Sequence, residues 1–183
     1  MLFSATMPET VMDVISKACR GNYRYIDCIG EESSTALMAQ QFYLVLPGHQ
    51  CLAALYNLII NEMATDRYGY KILVFFATAR MTSFMAQFFR EQLRIGVYEI
   101  HRRREASARM ATQERFKEAR SGILFSSDVS ARGMDYPNIS LVIQFGAPAT
   151  REMYIHRVGR TARAGKAGDA VLILGELEQS FLA

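Results

Sequence analysis

Lys71-Ile72-Leu73-Val74-Phe75-Phe76 carries no polar side chain after its first residue. A strand with one face in water alternates apolar and polar positions. A continuous run of aliphatic and aromatic residues is the pattern of a strand covered on both faces. The segment therefore belongs in the middle of a parallel sheet with a helical layer on each side. That reading decides the fold class, α/β, and the neighbouring segments can be tested against it.

Downstream, Thr78 or Thr82 caps a helix that runs to about Leu93, and Val97 to Ile100 forms the next strand. A helix from about Glu105 to Ala119 follows, then strands at Ile123–Ser126, Leu141–Phe145 and Ala170–Leu174, with a helix over Arg151–Val158 between the last two. Upstream, Phe42–Leu46 reads as a strand and Cys51–Met63 as a helix with Leu52, Leu55, Ile59 and Met63 on one face. Strands separated by helices imply right-handed crossovers and a parallel sheet. Ligands of such sheets collect beyond the carboxyl ends of the strands. The segments after Phe76, Ile100, Ser126 and Phe145 are thus where chemistry is expected, and charged residues are concentrated there.

The first 29 residues have a different character. Leu2-Phe3 reads as the end of a buried strand and Ser4-Ala5-Thr6 as a tight turn. Thr6 stands three residues before Glu9, a capping-box spacing, with Pro8 tolerated in the first helical turn. Val11, Val14, Ile15 and Ala18 then predict a helix from about Pro8 to Cys19, ended by Gly21, and Tyr23–Ile29 predicts a short strand. Gly30–Ala39 is small and polar, a linker. The expected division is 1–29, a remnant of another domain; 30–39, the linker; and 40–183, one α/β domain.

Composition narrows the class. No apolar stretch in the 183 residues approaches the roughly 20 a membrane-spanning helix needs. Cys19, Cys28 and Cys51 form no C-x-x-C pair and no metal-ligand spacing with histidine, so buried free thiols in a reducing compartment are expected. No secretory or transit peptide is visible, leaving a mitochondrial or a nuclear/cytoplasmic location open. The net charge of +3 is unevenly spread. Arg102, Arg103, Arg104 and Arg109 form one cluster; Arg151, Arg157, Arg160 and Arg163 with Lys166 form another. Guanidinium forks suit phosphate oxygens, although the first cluster taken alone also fits a solvated basic face.

The second cluster is sharper. In Tyr154-Ile155-His156-Arg157-Val158-Gly159-Arg160-Thr161-Ala162-Arg163-Ala164-Gly165, three arginines recur at offsets of three. Like charges that close repel, so an anion in front of them is the natural explanation. Gly159 allows a turn that carries Arg160 and Arg163 toward one point.

This segment resembles the HRxGRxxR motif of superfamily 2 helicases, specifically motif VI of the DEAD-box RNA helicases. Ser4-Ala5-Thr6 looks like motif III of that family, and Val74 to Thr78 looks like motif IV. His101 to Arg109 looks like motif IVa with part of its QxxR element, and Ser127 to Asp135 looks like motif V. Arg80 to Phe84 and Arg132 to Pro137 are most similar to the mitochondrial intron-splicing branch. The resemblance implies a RecA-like C-terminal helicase domain, with residues 1–29 left over from the N-terminal one. It implies ATP as nucleotide, with Mg2+ held by the N-terminal helicase domain in cis. Arg160 would be an arginine finger on the γ-phosphate with Arg163 beside it, and Asp135, helped by the tight backbone at Gly133, would hold the ribose. His156, Arg157, Ser4 and Thr6 would couple the two domains. Thr78, Arg102, Arg103, Arg104, Arg109, Ser127 and Asp128 would meet the RNA backbone, largely irrespective of sequence. Plainer roles stand beside some of these: His156 as a hydrogen-bonded core histidine, and Arg157 in a structural salt bridge with Asp128 or Asp135.

The chain departs from the family pattern at four places. Arg102 follows His101 where a glycine is common, Ala106 replaces the glutamine of QxxR, Ser127 stands for threonine and Ala162 for glycine. It also contains no G-x-x-x-x-G-K-[ST] loop and no Asp-Glu-Ala-Asp stretch. Half an ATP site is therefore expected, inactive alone, and the apolar surface of residues 1–29 could join two copies non-physiologically. The alternative is a catalytically silent RNA-binding or scaffold module of the same fold.

Overall fold

The structure, a computed structural model, describes residues 9–19, 21, 24, 39–128, 136–162 and 167–182. Backbone contacts divide the chain into two compact units, Met1–Ser33 and Ser34–Ala183. In the first, α1 spans Glu9–Ala18 with Ile15 buried, close to the predicted helix. The expected turn at Ser4–Thr6 lies outside the described residues, as does the expected strand at Tyr23–Ile29 apart from Arg24.

The second unit is a six-stranded sheet in the order β1-β6-β5-β2-β4-β3, every pairing parallel. Its strands are β1 (Gln40–Leu46), β2 (Lys71–Phe76), β3 (Tyr98–Ile100), β4 (Gly122–Ser126), β5 (Leu141–Phe145) and β6 (Asp169–Gly175). The helices are α2 (Gly48–Thr65), α3 (Ala79–Glu91), α4 (Ala106–Glu118) and α5 (Arg151–Val158). All six residues of β2 are buried, as its composition requires.

Period-two side chains sort this core into two layers. Ile72, Val74 and Phe76 of β2, with Ile123 and Phe125 of β4 and Ile143 of β5, pack against Leu55 and Ile59 of α2 and Met85, Ala86 and Phe89 of α3. Leu73 and Phe75, with Leu124 and Val142, face Phe116 of α4 and Val158 of α5 on the other side. Helices therefore cover both faces, and each fully buried large side chain contributes roughly 1.5–3 kcal/mol. Among the described residues no helix is long and apolar enough to cross a membrane.

Lys71, at the start of β2, is nearly enclosed; its Nζ donates to the carbonyl of Lys117 at 2.8 Å and lies 5.3 Å from the Phe116 ring centre. Burial pushes its ammonium below the usual lysine range. A seven-residue 3-10 helix, Glu176–Leu182, was not anticipated. Glu178 anchors it by accepting from the amides of Gly175 (2.9 Å) and Ala147 (3.0 Å), which ties the ends of β6 and β5 together.

Candidate nucleic-acid and nucleotide interface

The described site residues sit beyond the carboxyl end of a strand or on the helix that follows one, except Arg160, which comes just after α5. Thr78 comes two residues after β2, Arg102 two after β3, Ser127 and Asp128 directly after β4, and α5 follows β5. Neighbouring strands thereby hold together residues that are far apart in sequence.

Thr78, not Thr82, caps α3. Its hydroxyl accepts from the Met81 amide at 3.1 Å, while Thr82 is buried in the first turn and donates its hydroxyl to the Thr78 carbonyl at 2.9 Å. Thr78, Ala79 and Arg80 line a cleft of about 410 Å³ whose other wall is Arg102 and Arg103. The first turn of α3 and the exposed residues Arg102 and Arg103 line one opening, a combination suited to anionic phosphates. Arg80 was not singled out from the sequence. Its position two residues after a threonine cap, in the first turn of the helix, was the available signal.

The arginine cluster is divided by its surroundings. Arg102 and Arg103 are exposed, whereas Nη1 of Arg104 turns back to 3.5 Å from Oε2 of Glu99. Arg109 lies on α4, half-buried, its amide bonded to the carbonyl of Glu105. Glu99 is buried, takes Arg90 of α3 on Oε2, and receives the His101 ring on Oε1 at 2.7 Å. Burial acts to raise the Glu99 carboxyl, but hydrogen bonds from Arg90, His101 and Ser83 prevail and hold it below the usual carboxylate range. Sequence reading missed Glu99; its signal was an acid inside a strand, two residues before a histidine and next to an arginine run.

Ser127 is buried, and its amide donates to the Ile100 carbonyl at 3.2 Å, joining β4 to β3. Asp128 is engaged by Arg157, whose Nε and Nη2 approach Oδ1 at 2.8 and 2.6 Å. The Arg157 guanidinium also reaches Oε1 of Gln144 at 3.4 Å and lies 5.4 Å from the Phe75 ring centre. At 1% exposure, Arg157 is enclosed within its own domain. This geometry locks α5 to the segment after β4, the salt bridge to Asp128 that the sequence also offered for Arg157.

Beyond Arg157, α5 ends at Gly159. Arg160 is half-buried and its Nε donates to the His156 carbonyl at 3.2 Å, which holds its stem against the helix end. His156 is likewise half-buried, and both residues make further interactions. Ala162 has φ 54°, in the left-handed region that glycine enters without steric cost, a physical reason for glycine to be common there. Gly133, Asp135 and Arg163 lie outside the described residues, as do Ser4 and Thr6. Among the described residues no three His, Cys, Asp or Glu side chains gather into a metal-binding group, so none is assigned to Mg2+.

A parallel sheet with helices on both faces and an arginine-bearing helix at its carboxyl edge has the architecture of a RecA-like lobe. Residues 51–165 match the helicase conserved C-terminal domain, and the chain belongs to that family, in its DEAD-box branch. It is 44% identical over 188 residues to the mitochondrial ATP-dependent RNA helicase mss116 of Aspergillus oryzae, a match covering 100% of this chain and 29% of that protein. The structure of Mss116p bound to single-stranded RNA and AMP-PNP superposes with a TM-score of 0.82 at 29% identity, covering 98% of this chain and 36% of the other. Mss116p helicase domain 2 bound to an RNA duplex aligns at TM-score 0.72 and 34% identity, over 78% of this chain and 56% of that one. The chain spans about a third of the length of the curated relatives it matches.

Proposed function

We propose that this chain is the RNA-gripping and ATP-completing C-terminal lobe of an ATP-dependent RNA helicase. The observation that carries the reading is the cleft lined by the start of α3 on one side and by Arg102 and Arg103 on the other. Phosphates there would be met by Thr78 and Ala79 amides on one side and by Arg102 and Arg103 on the other, with Arg80 at the rim. Such contacts read the backbone and not the bases, so binding is salt-sensitive and largely sequence-independent. Mss116p domain 2, similar in fold and sequence, is itself described in complex with an RNA duplex.

ATP, when bound between this lobe and an N-terminal one, supplies the phosphoryl group. Arg160 then meets the γ-phosphate, Arg163 stands beside it, and Asp135 with Gly133 takes the ribose. His156, Ser4 and Thr6 carry the coupling between lobes. Mg2+ is held by the other lobe. The 183-residue chain alone lacks the phosphate loop, so it binds RNA without turning over ATP. Two fungal relatives are named as mitochondrial and the plant relatives carry no compartment in their names, so a mitochondrial and a nuclear/cytoplasmic location both stay open for the whole protein.

The test is fluorescence anisotropy of the chain with a labelled RNA duplex across a salt series. Arg102→Ala with Arg103→Ala should weaken binding and reduce the log–log salt slope by about two, one for each lost phosphate contact. Unchanged affinity and slope would make that cluster a solvated face and remove the reading.

A further inference from the structure

We propose that Glu99 is the positioning residue of the RNA cleft, holding its two walls at a fixed separation. The inference rests on the functional reading above and goes beyond it, because Glu99 itself faces the interior.

Both walls end on this one carboxylate. Arg90, on the last turn of α3, reaches Oε2 of Glu99 through Nη2, and its Nε is bonded to the Ala86 carbonyl at 3.0 Å. The helix whose first turn forms one wall is thus clamped at its far end. On the other side the His101 ring bonds Oε1 of Glu99 at 2.7 Å. The Arg103 amide donates to Nδ1 of that ring at 3.2 Å. Nδ1 is therefore the acceptor and Nε2 carries the proton, which it donates to Glu99. The Arg104 amide donates to the His101 carbonyl at 3.1 Å, and the Arg104 side chain closes on Oε2 at 3.5 Å.

The consequence is a turn pinned at His101 and Arg104, with Arg102 and Arg103 left projecting. One carboxylate takes up the inward-facing cations, so the outward pair is what remains for phosphate. A strand normally has no use for a buried acid at this place, because desolvation disfavours it unless strong donors surround it. Three side chains from two separate elements supply those donors.

A double-mutant cycle in the 183-residue chain separates positioning from plain stability. Glu99→Gln keeps the size but replaces one acceptor oxygen with a donor facing Arg90 and Arg104. In the parent background RNA-duplex affinity should fall about tenfold, the scale set by loss of a charge-assisted bond, and the salt slope should fall toward that of the Arg102→Ala/Arg103→Ala chain. In the Arg102→Ala/Arg103→Ala background the same change should have almost no further effect, because the groups it positions are gone. An equal loss in both backgrounds would show a purely structural role and overturn the proposal. If the double alanine chain binds RNA normally, the functional reading fails; if it binds poorly while Glu99→Gln binds normally, only the positioning role fails. Should Glu99→Gln not fold by circular dichroism, Arg90→Gln, at a partner with 41% side-chain exposure, replaces it in the cycle: a loss confined to the parent background supports positioning, and an equal loss in both overturns it.

Discussion

Nη2 of Arg157 lies 2.6 Å from Oδ1 of Asp128, and this contact joins the helix after β5 to the segment after β4. The pair is asymmetric: Arg157 is enclosed at 1% side-chain exposure, while Asp128 keeps 33%. Removing the arginine strands a partly shielded carboxylate and opens a hole over Phe75. Arg157→Ala should cost about 3–5 kcal/mol, the range for breaking a buried pair, read from urea unfolding of the chain. Arg157→Lys should recover little, because an ammonium cannot reach Asp128 and Gln144 together. A lysine variant of full stability would show that charge alone suffices.

Thr78 caps α3, and the proposed function adds a binding task to that structural one. Thr78→Ala should lower stability by about 1 kcal/mol through loss of the α3 cap and weaken RNA binding at the cleft. Thr78→Ser should restore both. A serine variant that recovers stability without recovering affinity would place the methyl group, not the cap, in the binding role.

Gly168 stands where no side chain fits. A Cβ there would come within 2.0 Å of Thr161 Oγ1 and 3.0 Å of the Ala162 amide. Thr161 is itself committed, donating to the Ile139 carbonyl at 2.6 Å. Gly168→Ala should therefore destabilise by about 1–3 kcal/mol, as overpacking does, and thermal melts would read it directly. Retention of the parent melting temperature would mean that the arginine-bearing segment moves aside at no cost.

Glu99 sets a pH dependence whose sign is fixed by its environment. Its folded-state carboxyl lies below the usual range, so the unfolded chain binds more protons as the medium turns acid. The stability it contributes is present above the ordinary glutamate range and is lost as pH falls through its depressed folded value. In Glu99→Gln the acid limb of a stability–pH profile should be shallower than in the parent; parallel limbs would assign the acid loss to other carboxylates.

Arg160 is tested in the full-length protein. Arg160→Ala should reduce RNA-stimulated ATP hydrolysis on the order of a thousandfold, the scale of arginine fingers, while ATP binding persists. Undiminished turnover would remove the finger assignment.

Much of this architecture was readable because its signals are strong and local. β2 and α5 occupy the segments predicted for them, the first through an unbroken apolar run and the second through its flanking turns. β1 begins at Gln40, two residues before the apolar pattern, because an edge strand in water needs no hydrophobic side chains to pair its backbone. The choice between Thr78 and Thr82 was open from spacing alone and was decided by which hydroxyl meets an amide. The 3-10 helix left no periodic trace, since its anchor is one glutamate reaching two distant amides and Leu177 is fully exposed. The partnership of Arg104 and Glu99 was hidden for a related reason. A run of arginines looks uniform in a string of letters, and only the fold tells which of them meets a buried acid.

The parallel sheet also works as a ruler. Adjacent strands lie about 4.8 Å apart, and β4 intervenes between β2 and β3. The strand ends beneath the helix start and the arginine turn are thus set two strand pitches apart, roughly 10 Å, by the backbone ladder, and the side chains above them are held by contacts such as those to Glu99. Substitutions in the loops at this edge change which groups project from it, while the spacing of the strand ends below stays as the ladder sets it.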